Sequence, residues 1–236
     1  MSSINLLTRD WALKNNHPCF YFPEISSTND VAKKEFHGQT PFALYLSDHQ
    51  THGRGRNQSH WFNLEGGEVL LSTWCFAVKQ SPQPILTPLL GLALYKALHS
   101  LDGNLPLRLK APNDLLLQEA KLSGLLVEVN QIGQKFEVYV GLGMNVFAAP
   151  KVDQPTACLH DLTAFNESSW TIFCESLFKN LKLAIESGTK TLLSAKAQGE
   201  LLEALNNGLS PDQRYLKISP SGDLYTATGI LPWMDL

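Results

Sequence analysis

The stretch from Leu107 to Val146 limits the fold more tightly than any other. Three apolar runs, LRLKAP, LSGLLVEVN and KFEVYVGLGMNV, are separated only by NDLLLQEAK and QIGQ. Connections this short join antiparallel neighbours, since a parallel pair needs a crossover of about a dozen residues or more. A compact antiparallel meander is the predicted result. Upstream, CFYFPEI (Cys19 to Ile25), FALYLSD (Phe42 to Asp48) and EVLLSTWCFAV (Glu68 to Val78) have the length and apolar density of further strands.

Helices are expected between and after these strands. SSTND supplies side chains able to cap a helix continued by VAKKEF, and ILTPLLGLALYKALHSL has helical periodicity with Pro88 near its start. Beyond Pro155, WTIFCESLFKNLKLAIESG and KTLLSAKAQGELLEALNNG read as helices ended by Gly188 and Gly208. The class that follows is α+β, a mixed and largely antiparallel sheet with helices packed on one face. The last stretch, RYLKISPSGDLYTATGILPWMDL, holds two short strand-like pieces around SPSGD, less than a self-sufficient domain needs. It is expected as a hairpin docked on the main body, with the division falling between residues 1–208 and 209–236.

With 236 residues, 44% of them hydrophobic, the chain can bury one sizeable core. A net charge of −3 leaves no broad basic surface for polyanions, so nucleic acid is not an expected partner. Cys19, Cys75, Cys158 and Cys174 are widely spaced, lack a C-x-x-C pattern and mostly lie among apolar neighbours, as reduced core residues do. MSSINLLTRDWALKNN lacks the pattern of a signal peptide, and no apolar segment reaches membrane-spanning length without polar interruption. A cytoplasmic protein without a membrane partner is expected.

Three stretches are candidates for chemistry. GRGRNQ, inside HGRGRNQSHW (His52 to Trp61), follows a strand end. It reads either as a glycine-rich hairpin or as a loop whose glycines let the backbone approach a ligand while Arg54 and Arg56 offer forked donors to carboxylate or phosphate. It has neither the Walker lysine pattern nor a G-x-G-x-x-G strand-to-helix turn. In LKAPNDLLLQEAKLSGLLVEV the polar Lys110, Asn113, Asp114 and Lys121 interrupt an apolar sheet. PND is either a proline-started turn or a site where a carboxylate holds Mg²⁺ with a nucleotide, and Lys121 is either a strand-edge lysine or a stabiliser of phosphoryl charge. GLGMN (Gly141 to Asn145) taken alone is a turn. The seven histidines include no helical H-x-x-x-H pair with an acidic partner, which disfavours a metal hydrolase.

Taken in order, SSTND (Ser26 to Asp30), QTHGRGR (Gln50 to Arg56), KAPND (Lys110 to Asp114), KLSGLLVE (Lys121 to Glu128) and GLGMN resemble the motifs of the biotin protein ligases. The resemblance is to the biotin–acetyl-CoA-carboxylase ligase type and covers about residues 20–146, with a fainter echo in GILPWMD. It implies the class II synthetase-like biotin–lipoate ligase fold and formation of biotinyl-5′-AMP from biotin and ATP with Mg²⁺. The biotinyl group then passes to a lysine of the biotin carboxyl carrier protein. By the same resemblance Ser27, Thr28, Asn29, Gln50, Gly53, Arg54, Lys121 and Gly124 bind biotin. Arg54, Arg56, Trp61, Asn113, Lys121 and Asn145 face ATP or the adenylate. Lys121, Arg54 and Asp114 are catalytic, with Asp114 also the Mg²⁺ contact.

Several positions depart from the family pattern. Asn57, Gln58 and Ser59 stand where further basic residues are usual, and loss of one charged hydrogen bond is worth roughly 1.5–3 kcal/mol, which predicts a leakier adenylate. Ala111 replaces the usual tryptophan, which predicts weaker biotin binding. Roughly 25 residues remain where the family has a small SH3-like barrel, so the C-terminal segment is expected to be a truncated β appendage. The residues ahead of the first strand are too few for a DNA-binding helical unit, which implies the monofunctional type, as monomer or homodimer. The rival readings are a lipoate or octanoyl ligase or transferase of the same fold, and a non-catalytic biotin-binding relative.

Overall fold

The computed structural model describes residues 3–62, 64 and 66–235. Seven strands form one sheet: β1 (Cys19–Ile25), β2 (Phe42–Gln50), β3 (Val69–Val78), β4 (Leu107–Lys110), β5 (Asp114–Leu117), β6 (Ala120–Ile132) and β7 (Lys135–Asn145). Their spatial order is β1-β2-β3-β7-β6-β5-β4. Only β1 and β2 run parallel, and that pair is joined through a helix, as a parallel connection requires. Every other pairing in this sheet is antiparallel.

Alternation along the central strands builds two cores. Leu44 and Leu46 of β2, Leu70 and Trp74 of β3, and Val138, Val140 and Leu142 of β7 face one side. There they meet α1 (Ile4–Lys14), α3 (Leu86–His99), α4 (Glu167–Ser187) and α5 (Ala195–Asn206). Ala43, Tyr45, Cys75 and Tyr139 face the other side and receive Ala32 and Phe36 of the short α2 (Thr28–Glu35). Among the described residues, the expected placement of helices on one face thus holds for four of the five α-helices, with α2 on the opposite face. Cys75, Cys158 and Cys174 are buried, Cys19 is half-buried, and all four are free thiols.

NDLLLQEAK, expected as a connection, contains the strand β5. Leu117 pairs with Ala120 across a two-residue turn, Gln118–Glu119, both at positive φ. That backbone is usually given to Asn-Gly or Asp-Gly, so Gln-Glu concealed the hairpin. The second downstream helix begins only at Ala195, where the Ser194 hydroxyl accepts from Ala197 N at 3.2 Å. The C-terminal segment forms not two but three short antiparallel strands, β8 (Lys217–Ile218), β9 (Leu224–Tyr225) and β10 (Ile230–Leu231). Ile218, Leu224 and Trp233 join the principal core, so this small sheet is seated on the main body.

The helix α1 had no expected counterpart, because its buried face is partly polar. Asn5 is 0% exposed; its Nδ2 donates to Val69 O at 3.0 Å and its Oδ1 accepts from Leu71 N at 3.0 Å. One side chain thereby satisfies the edge of β3 as a neighbouring strand would. Asn5→Ala is expected to lower stability by about 1–3 kcal/mol for each backbone group left unsatisfied, read as a reduced urea midpoint with an unchanged slope.

Candidate active site

A cavity of about 220 Å³ opens on the α2 side of the sheet, where β2, β5, β6 and β7 end and the segment after β2 folds back. Ser27, Thr28, Asn29, Gln50, Arg54, Arg56, Trp61, Asn113, Asp114, Lys121, Gly124 and Asn145 all line it. Residues from five separated motifs therefore meet in one place. Gly53 does not line the cavity; a Cβ there would lie 3.0 Å from Trp61 O, so its bareness serves the fold-back of the loop.

The floor is built for close approach. A Cβ on Gly143 would overlap the Trp61 ring, one on Gly124 would lie 3.2 Å from Trp61 Cζ3 and from Asp114 Oδ1, and one on Gly141 would lie 2.5 Å from Asn29 Oδ1. The glycines of GLGMN and KLSGLLVE are thus places where side chains lie flat on the sheet, and Trp61 covers two of them. The loop carrying Trp61 is a small hairpin: Trp61 N donates to Gly53 O at 2.9 Å and Gly55 N to Ser59 O at 2.7 Å. GRGRNQ is therefore a hairpin, and the same hairpin forms one wall of the cavity.

Behind the floor sits a buried polar network. Gln50 Oε1 accepts from Thr28 N at 2.7 Å and from Thr28 Oγ1 at 3.1 Å. Thr73 Oγ1, 0% exposed, contacts Thr28 Oγ1 at 2.9 Å and Asn29 Oδ1 at 2.5 Å. Asn29 Nδ2 donates to Glu128 Oε2 at 2.8 Å. Ser27 occupies the N-cap position of α2, makes no side-chain cap bond there and lines the cavity. Thr73 was not a sequence candidate; within an apolar strand its hydroxyl carries no motif.

On the opposite wall Lys121 Nζ lies 3.0 Å from Asp114 Oδ1, with both side chains about four-fifths buried and the ammonium 5.5 Å from the Trp61 ring centroid. Asp114 reaches this position because it pairs with Gly124 across β5 and β6. Asn113 Nδ2 donates to Leu125 O at 2.6 Å while Leu125 N donates to Asn113 O at 2.9 Å, so Asn113 holds the turn. Trp233 Nε1 donates to Pro112 O at 3.1 Å, bringing an aromatic of the C-terminal segment to the turn in which Ala111 stands. Asn145 Nδ2 is committed to Lys121 O and Ala157 O at 3.3 and 3.2 Å, whereas its buried Oδ1 has no partner among the described residues, and neither has buried Trp61 Nε1. Buried polar atoms left open in a cavity are where a ligand is expected to bind. The remaining wall, Pro150 to Thr156, is irregular chain held by a bond from Lys121 N to Pro155 O at 2.9 Å, and it carried no sequence signal.

A charged cluster closes the loop side. Arg54 Nη2 lies 2.5 Å from Asp30 Oδ1 and 3.6 Å from Glu128 Oε2, and Lys33 Nζ lies 2.8 Å from Glu128 Oε1 and 3.4 Å from Asp30 Oδ1. Burial pushes the Asp30 carboxyl up, but Arg54 and then Lys33 outweigh it and hold it below its ordinary value. Glu128 is likewise raised by burial and brought below its ordinary value by Lys33, Asn29 and Arg54.

The profile of the Biotin/lipoate A/B protein ligase family matches residues 21–145, more than half of the chain. The chain belongs to this family. Among similar members, the bifunctional ligase/repressor BirA of Escherichia coli is 31% identical over 127 residues, which are 52% of this chain and 39% of that protein. The biotin–[acetyl-CoA-carboxylase] ligase of Mycobacterium tuberculosis is 36% identical over 124 residues, 50% of this chain and 45% of that protein. The chain thus spans about two-fifths of the length of the curated relatives it matches. The biotin protein ligase of Aquifex aeolicus in complex with biotin and ATP superposes with a TM-score of 0.67 at 24% identity, covering 90% of this chain and 94% of that one. That of Leishmania major in complex with biotin gives 0.58 at 20% identity, covering 90% and 96%. At these identities the superpositions establish the shared fold. No helix among the described residues is long and apolar enough to cross a membrane.

Both lowered carboxyls imply that the folded chain binds fewer protons than the unfolded one on the acid side. The stability they supply is complete above the ordinary carboxylate values, about pH 4, and is lost as pH falls through the lower folded values. Asp30→Asn combined with Glu128→Gln should flatten the acid limb of stability against pH. An acid limb identical to the wild type would contradict the network.

Proposed function

We propose that this chain carries out biotin protein ligation, activating biotin with ATP to biotinyl-5′-AMP and passing it to a lysine of the biotin carboxyl carrier protein of acetyl-CoA carboxylase. The Lys121–Asp114 pair carries the reading. It stands between a buried polar floor suited to a small polar acid and the open acceptor of Asn145, suited to a nucleotide. The names of the relatives support biotin as the acid, and the Mycobacterium tuberculosis relative supports the acceptor.

In this reading Ser27, Thr28, Asn29, Gln50 and Gly124 hold biotin, with Gly53 shaping the loop beside it. Trp61, Asn113 and Asn145 flank the adenylate. A biotin carboxylate oxygen attacks the α-phosphorus of ATP and pyrophosphate leaves; the carrier amine then attacks the acyl carbon and AMP leaves. Lys121 offsets charge developing on the phosphoryl oxygens, which is worth most in a water-poor cavity. Asp114 is the group able to take the proton of the carrier lysine. No group of three or more His, Cys, Asp or Glu able to hold a metal occurs among the described residues. One carboxylate, Asp114, fits Mg²⁺ that arrives with ATP, since Mg²⁺ at such sites is held by one or two carboxylates and the phosphates. Arg54 and Arg56 belong to the segment that shields the adenylate from water. Residues 1–208 form the catalytic body and 209–236 its β appendage.

Pyrophosphate release with ATP and Mg²⁺ should depend on biotin. Release with lipoate instead would favour the other acid of the family, and biotin binding without release would favour a binding protein. Lys121→Ala should lower release by about 10²-fold or more with the circular dichroism unchanged. Arg56→Ala should speed escape of the adenylate, measured as AMP formed without carrier; unchanged escape would remove Arg56 from that role.

A further inference from the structure

Arg54 stands at the stem of the glycine loop, between Gly53 and Gly55. Its guanidinium is shared by two carboxylates on different rigid elements, Asp30 in the first turn of α2 and Glu128 in β6, at 2.5 and 3.6 Å. The three side chains are 24–34% exposed, and Lys33 completes a group of two acids and two bases. Glu128 is also the acceptor for Asn29 Nδ2 at 2.8 Å, so the carboxylate that holds the loop stem orients the polar floor as well. An arginine held this way meets an incoming anion poorly: leaving would take one of two bases from two largely buried carboxylates, and staying would place the anion beside them. Arg56, beyond Gly55, lines the same cavity.

We infer that Asp30 and Glu128 are positioning residues that clamp the loop through Arg54, making the Arg54 side chain the anchor of the loop. The inference rests on the ligase reading only for its consequence in turnover. The clamp fixes the stem of the hairpin, whose returning strand, bonded to Gly53, lays Trp61 over Gly124 and Gly143. Its loss therefore loosens the wall that keeps the adenylate from water.

The test is hydrogen–deuterium exchange of the loop, residues 51–62, in the ligand-free chain, which needs neither biotin nor ATP. Asp30→Asn and Arg54→Ala should each speed loop exchange about tenfold, the effect of losing one charged hydrogen bond. Their combination should be no faster than Arg54→Ala alone, because the two act as one unit. Arg54→Lys should restore part of the protection, and exchange in α3 and β7 should stay as in the wild type, reporting an intact fold. Glu128→Gln should speed loop exchange in the same direction. In turnover, Asp30→Asn should raise adenylate escape while leaving the first burst of pyrophosphate unchanged. Loop exchange at the wild-type rate in Asp30→Asn and Glu128→Gln, or additive effects of Asp30→Asn and Arg54→Ala, would overturn the clamp. Failure of pyrophosphate release with normal clamp behaviour would instead count against the ligase reading alone.

Discussion

The architecture depends on one constraint, that the central strands β2, β3 and β7 bury side chains on both faces of the sheet. Four helices pack on one face. On the other, α2 is short and covers only the part that carries Tyr45, Cys75 and Tyr139. The uncovered part carries glycines, a buried hydroxyl and amide network and a folded-back loop, and together these form the cavity.

Charge at the cavity is handled in balanced groups. Lys121 faces Asp114, while Arg54 and Lys33 face Asp30 and Glu128. Partly buried charges are tolerated when paired, so a site able to meet an anion is kept close to neutral. The two groups differ in attachment. Lys121 and Asp114 come from adjacent strands of the rigid sheet, whereas Arg54 ties a loop to the scaffold and makes the position of that loop an electrostatic matter.

Much of this was legible because the motifs lie at strand ends, where polar residues break apolar runs. SSTND, QTHGRGR, KAPND, KLSGLLVE and GLGMN meet as a group around one cavity. What escaped reading has definite causes. The β5–β6 hairpin turns on Gln118–Glu119, residues that seldom adopt positive φ, and α1 buries Asn5 where an apolar residue would have shown a period. Thr73 resembles any strand threonine until its register places it beside Thr28 and Asn29.

The amino-acid sequence by itself determined the family, the antiparallel meander and the residue types gathered for chemistry, because hydrophobic period, short connections and motif order are local properties. Tertiary structure alone decided which charges pair. Asp30, Arg54 and Glu128 are separated by up to 98 residues, and only the packing of α2 against the sheet brings them together. It also decided that the glycines of the floor serve the flat approach of Trp61 and Asn29, since the room a missing Cβ leaves has meaning only once a neighbour fills it.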